Sequence, residues 1–124
     1  LCHTMLRTLM QHPSAFPFNV AVDPVQHKAP RYFEIIKRPM DLGTALRKLR
    51  SAEYNTLLEV KEDVELVFEN AMTYNPPLHM VHRMAVELRA VFYKEFGRVV
   101  AKCLGQPVDG GGPAPAPSTA AGLG

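Results

Sequence analysis

The stretch Phe68-Glu69-Asn70-Ala71-Met72-Thr73-Tyr74-Asn75-Pro76-Pro77 ends a long amphipathic pattern in two consecutive prolines, and its reading decides how the rest of the chain is organised. Proline lacks an N–H and disfavours the α conformation in the residue before it, so a helix running into this stretch must end at Asn75. The Asn75 side chain then projects from a fixed point. Its amide carries donors and an acceptor, which makes a carboxamide at a rigid helix exit a plausible hydrogen-bonding tool. A plain helix C-cap is the alternative, since Asn tolerates that position.

Upstream of the prolines, Leu57, Val60, Val64, Val67, Phe68, Ala71 and Met72 recur at helical spacing, and Thr56-Leu57-Leu58-Glu59 has the form of a capping box. The opposite face carries Glu59, Lys61, Glu62, Glu65 and Glu69 and reads as solvated, with an acidic docking surface as the other reading. Downstream, Val81, Met84, Ala85, Leu88, Val91, Phe92, Phe96 and Val99 carry a last helix to about Leu104, stopped by Gly105. Asp41 reads as the N-cap of a short helix with Leu42, Ala45, Leu46 and Leu49 on one face, and with Arg47, Lys48 and Arg50 near its far end. Cys2, Met5, Leu6, Leu9 and Met10 give a first helix that stops at His12-Pro13.

Between them, Pro13, Pro17, Pro24, Pro30 and Pro39 stiffen a long connection without sustained periodicity, and loops of that length are usually functional. Within it, Pro30 at a first helical position is predicted to start a short turn carrying Tyr32 and Phe33. Four helices with one long and two short connections predict an all-α bundle whose long loop crosses one end. The composition turns to Gly, Pro, Ala and Ser from Gly105 onward, so the expected division is a domain over residues 1–104 and a flexible tail or linker over 105–124.

The 124 residues carry a formal charge of +2 with acids and bases interspersed, which makes no strong case for nucleic-acid or membrane binding. No apolar run reaches bilayer length, and Leu1-Cys2-His3 is not a signal peptide; the absence of an initiator Met suggests a module of a longer protein. Cys2 and Cys103 sit in no ligand-like spacing and read as free thiols used as small apolar residues in a reducing compartment. No nucleophile with a paired base, phosphate-binding glycine loop or matched carboxylate pair points to catalysis, so no enzyme activity and no cofactor are expected. His79 and His82, with His27 from the loop, have a spacing that can bind metal, but no carboxylate or cysteine completes the set and rim histidines are the simpler reading.

Taken in order, Phe16-Pro17-Phe18, Val22-Asp23, Pro30-Arg31-Tyr32-Phe33, Ile35-Ile36-Lys37-Arg38-Pro39-Met40-Asp41-Leu42-Gly43-Thr44 and Tyr74-Asn75-Pro76 resemble a bromodomain. The resemblance covers roughly residues 1–104 and rests on the combination, since a lone Tyr-Asn-Pro is weak. It implies a left-handed four-helix bundle with a long loop between the first two helices and a pocket for acetyl-lysine. By motif position, Asn75 donates to the acetyl carbonyl and Tyr32 reaches the same oxygen through an ordered water. Phe18, Val22 and Val81 wall the pocket, Val81 as gatekeeper; Pro17 forms part of the adjoining shelf and Tyr74 shapes the wall. Phe16, His27, Ala29 and His79 lie at the rim. The implied partners are acetylated histone tails, with no nucleic acid and no membrane, inside a larger multidomain chromatin protein in the nucleus.

Phe16 stands where the family usually has Trp, which keeps an apolar shelf without an indole N–H. His27 and Ala29 stand where many members have larger aliphatic side chains, and His79 where an acid is common, which bears on peptide preference and admits longer acyl-lysines as a reading. Phe18, Val22 and Val81 are equally read as core, and Tyr32 as an ordinary amphipathic aromatic. The rival from another class is a structural or protein-interaction bundle without acyl-lysine binding.

Overall fold

The computed structural model describes residues 1–105, and the remainder of the expected Gly/Pro/Ala-rich tail lies outside the described residues. Among the described residues five α-helices are formed: α1 (Cys2–Met10), α2 (Tyr32–Ile35), α3 (Leu42–Arg50), α4 (Leu57–Tyr74) and α5 (Met80–Cys103). A 3₁₀ turn spans Phe16–Phe18. α1 packs on α3 and α5, and α4 on the same two helices, closing a four-helix ring against which the short α2 rests on α4. Phe68, Phe92, Leu6, Leu9, Leu42 and Leu88 fill its interior. Burying side chains of this size contributes about 1.5–3 kcal/mol each.

The helix starts follow local chemistry. Asp41 accepts the Thr44 N–H on Oδ2 at 2.9 Å and the Thr44 hydroxyl on Oδ1 at 2.6 Å. Thr56 and Glu59 form the reciprocal capping box. α5 is capped by a histidine: the Val81 N–H donates to His79 Nδ1 at 3.0 Å. Its far end turns out through Gly105, whose φ of +76° is the left-handed region glycine adopts without strain.

Three expectations change. Pro30 does not open the short helix; α2 begins at Tyr32, with Arg31 as N-cap at φ 61°. Pro30 instead gives its carbonyl to the Tyr74 hydroxyl at 2.8 Å, while the Arg31 carbonyl accepts the first helical N–H groups, from Glu34 and Ile35. Cys103 is exposed in the last turn of α5, beyond the packed part of the bundle, whereas Cys2 rests against the core. On α4, Glu59, Glu62 and Glu69 are exposed as the pattern suggests, but Lys61 and Glu65 pair half-buried at 3.0 Å. Asp63, on the same helix, is only 8 % exposed. It accepts from Lys48 Nζ at 2.8 Å and from the Tyr54 hydroxyl at 2.6 Å, joining α3 and the following loop to α4. Burial, and then this hydrogen bond, push the Tyr54 phenol well above its ordinary pKa.

The long connection is anchored at defined points. Asn19 Nδ2 donates to the Met10 carbonyl at 3.0 Å, and the Asn19 carbonyl accepts the Gly43 N–H at 3.2 Å. Ser14 Oγ donates to Glu87 of α5 at 2.9 Å, and Asn70 Nδ2 of α4 donates to the Arg38 carbonyl at 2.8 Å. Gly43 is required by close approach: a Cβ there would sit 2.5 Å from the Asn19 backbone oxygen. Backbone cannot yield as a flexible side chain does, so Gly43→Ala is expected to cost about 1–3 kcal/mol. A thermal melt then shows a midpoint lower by several degrees, and an unchanged midpoint would mean that the loop does not bear on α3.

Candidate binding site

Beside the main core, Ala29, Tyr32 and Ile36 form a second buried cluster, with Val22 and Tyr74 packed against it. The Tyr32 ring centroid lies 5.1 Å from that of Tyr74 and 5.6 Å from that of Phe33. Tyr74 reaches this cluster because it is the last residue of α4, and its hydroxyl bond to Pro30 pins the loop there. Burial, reinforced by the neighbouring Tyr74, raises the Tyr32 phenol above its usual range, so its O–H remains a donor at neutral pH.

Asn75 follows directly, at φ −102° and ψ 132°, the extended conformation that a following proline imposes. Its backbone N–H donates to the Ala71 carbonyl at 3.0 Å, and its Nδ2 donates to the same oxygen at 2.9 Å. The side chain therefore does cap the helix. An amide nitrogen has a second hydrogen, however, so the cap bond orients the group and leaves one N–H and Oδ1 to act outward. His82 Nδ1, from the first turn of α5, lies 2.9 Å from the Asn75 backbone carbonyl, a contact with no counterpart in the sequence reading beyond the spacing of the histidines.

The other expected site residues divide between the core and the surface. Phe18 is 4 % exposed and packs edge-on to Phe68 at 5.9 Å, inside the main core. Val81 is half-buried against that core, and Pro17 is half-buried in the 3₁₀ turn. Phe16 is 65 % exposed. His27 and His79 are exposed, their Nδ1 atoms accepting from the Asp23 and Val81 N–H groups. Ala29, expected at the rim, is 7 % exposed and lies within the Tyr32 cluster, because the Pro24-to-Ala29 turn folds its methyl inward. The fold thus brings Val22, Ala29, Tyr32 and Tyr74 together, and Asn75 follows Tyr74 in the chain. Among the described residues, no group of three or more His, Cys, Asp or Glu side chains is arranged to hold a metal ion.

Two concavities flank these elements. One of about 340 Å³ is lined by Ala21, Val22, Tyr32, Phe33, Pro39, Met40, Asp41 and Thr44, and so shares Val22 and Tyr32 with the aromatic cluster. A shallower one of about 500 Å³ runs along the start of α5 past Met80, Arg83, Met84 and Glu87. Asn75 lines neither; it stands half-buried at the α4 exit, with its amide drawn onto Ala71.

Residues 2–87 match the sequence model of the bromodomain family, most of the chain and every element of the site described above. The chain is a bromodomain. Among curated proteins it is similar to the transcription factor GTE10 of Arabidopsis thaliana, 44 % identical over 91 residues, which are 73 % of this chain and 9 % of that protein. It is also similar to the SWR1 complex bromodomain subunit bdf1 of Schizosaccharomyces pombe, 47 % identical over 98 residues, covering 77 % of this chain and 17 % of that one. The chain therefore spans less than a fifth of either relative. Among solved structures, the second bromodomain of Candida albicans Bdf1, bound to an imidazopyridine, superposes with a TM-score of 0.74 at 40 % identity, over 76 % of this chain and 92 % of that one. This bromodomain accordingly has the family's fold, a four-helix bundle of α1, α3, α4 and α5 with the long connection, and α2 within it, between α1 and α3.

Proposed function

We propose that this bromodomain binds acetylated lysine on histone tails, through Asn75, and thereby recruits a larger nuclear protein to acetylated chromatin. The observation that carries the reading is the double tether of Asn75 onto the Ala71 carbonyl, which fixes a carboxamide at the helix exit, directly after Tyr74 of the aromatic cluster, with one N–H left over.

Acetylation removes the lysine charge and leaves a methyl, a carbonyl acceptor and an N–H. A neutral donor beside aromatic and aliphatic walls suits that group. Unmodified lysine would bring an ammonium ion, and taking an unpaired charge out of water costs several kcal/mol even after relaxation. The free N–H of Asn75 would then face another donor. Selectivity arises as much from rejecting the charged form as from attracting the neutral one. Val22 and Tyr32 supply wall and a second donor, Tyr74 braces the wall, and Phe18 and Pro17 hold the loop in register. Val81 gates the side toward α5, and Phe16, His27 and His79 meet the flanking peptide.

One side chain making few direct hydrogen bonds supports an affinity of about −4 to −8 kcal/mol, millimolar to micromolar. Useful recruitment then draws on further modules of the parent protein. The relatives' descriptions as a transcription factor and an SWR1 complex subunit are consistent with that setting. Calorimetric titration with matched histone peptides is expected to give saturable binding of the acetylated form and none of the unmodified form. Equal binding of both would support instead a protein-interaction bundle without acyl-lysine recognition.

A further inference from the structure

We infer that His82 is a positioning residue for Asn75, holding the recognition amide from the far side of the Pro76-Pro77 break; this deepens the acetyl-lysine reading and rests on it.

At a helix C-terminus the last carbonyls have no intrahelical donor. In a continuing helix the Asn75 carbonyl would accept the His79 N–H, but the Pro76-Pro77 break ends the helix and that N–H is taken by the Pro76 carbonyl at 2.9 Å. The half-buried Asn75 oxygen is instead met by His82 Nδ1 at 2.9 Å. A carbonyl only accepts, so the contact fixes the proton of His82 on Nδ1. His79 is the opposite case: its Nδ1 accepts from Val81, so within one turn of α5 the two histidines carry opposite tautomers. Protonated His82 also donates through Nδ1, so the tether to Asn75 is made in either charge state.

Asn75 is thus clamped from both sides. Its amide nitrogens, backbone and side chain, are held by α4 through the Ala71 oxygen, and its carbonyl by α5 through His82. Only the second tether spans the proline break. Without it, the orientation of the Asn75–Pro76 peptide plane rests on the loop alone, and the amide loses preorganisation that a single-side-chain ligand cannot restore cheaply.

The test uses side-chain geometry. The Nδ2 of asparagine occupies nearly the place of histidine Nδ1, whereas the glutamine amide lies one bond further out. His82→Ala is expected to weaken acetylated-peptide binding about five- to tenfold, chiefly through faster dissociation. His82→Asn should recover affinity to within about twofold, and His82→Gln should not. The NMR signals of the Asn75 side-chain NH₂ should be a sharp inequivalent pair in the wild type and in His82→Asn, and exchange-broadened in His82→Ala. Equal affinity in His82→Ala, or rescue by Gln as complete as by Asn, would overturn the assignment. Failure of the reader function is seen separately, as no binding of acetylated peptide by the wild type. In that event an unshifted, sharp Asn75 pair in His82→Ala overturns the coupling as well.

Discussion

Asn75→Ala is expected to lower the affinity for an acetylated-lysine peptide by about tenfold to a hundredfold while leaving the bundle folded, an effect of about 1–3 kcal/mol for a donor lost from a desolvated contact. Two separate losses are combined in this substitution. The first is the outward N–H, which on the proposed reading meets the acetyl carbonyl. The second is the inward bond from Nδ2 to Ala71 at 2.9 Å. The second loss is small for stability, because the Asn75 backbone N–H still donates to the same oxygen at 3.0 Å and no buried acceptor is orphaned. A cost of about 0.5–1.5 kcal/mol is the expected scale for one neutral hydrogen bond. Calorimetric titration and a thermal melt on the same sample separate the two. Peptide binding that persists at wild-type strength in a folded Asn75→Ala protein would remove Asn75 from the site and leave it a helix cap.

The cap role of Asn75 marks how far the sequence could be read. The chain breaks were legible because they are local: Asp41 and Thr56 cap what they are expected to cap, and Asn75 leaves the helix because Pro76 follows. Apolar residues at helical spacing correctly selected Leu6, Leu9, Phe68, Leu88 and Phe92 for the interior. Contacts set by tertiary packing were not legible. Nothing near Asp63 in sequence announces that its carboxylate sits between Lys48 and Tyr54, fifteen and nine positions away. Nor does Pro30 reveal that its carbonyl is taken by Tyr74, which displaces the start of α2 to Tyr32. His82 was visible only as one of a spaced pair read as rim histidines, with metal binding as the other reading, since its partner is the Asn75 backbone oxygen that the helix break leaves without the His79 N–H. Phe18 shows the limit from the other side. Both a wall and a core reading were open, and its ring is committed to Phe68, so whatever it contributes to a ligand it contributes as a fixed part of the core.

Phe68→Ala is expected to produce the largest loss of stability, about 3–5 kcal/mol, the range for truncating a fully buried aromatic ring. Against a total of about 5–15 kcal/mol for a domain, this leaves the protein close to its folding threshold. Phe68 has this effect because of its position: 0 % exposed, it lies between Phe92 of α5, tilted at 6.3 Å, and Phe18 of the long connection, edge-on at 5.9 Å. Removing it opens a cavity between the rings and also withdraws the support on which the connection rests. Phe18 lies beside Asn19, whose carbonyl receives Gly43, so the loosened contact is transmitted to the stretch that leads on to Val22. Urea unfolding should show a lower midpoint with an unchanged slope, and Phe68→Leu should fall between the two proteins because it keeps much of the volume. At a temperature where Phe68→Ala is still folded, amide hydrogen exchange should rise in the segment around Phe18 before it rises within α1 or α3, since local opening is governed by local contacts. Uniform loss of protection across the bundle would show instead that Phe68 supports all elements equally, and a loss of stability below about 1 kcal/mol would show that the ring is not the keystone of the core.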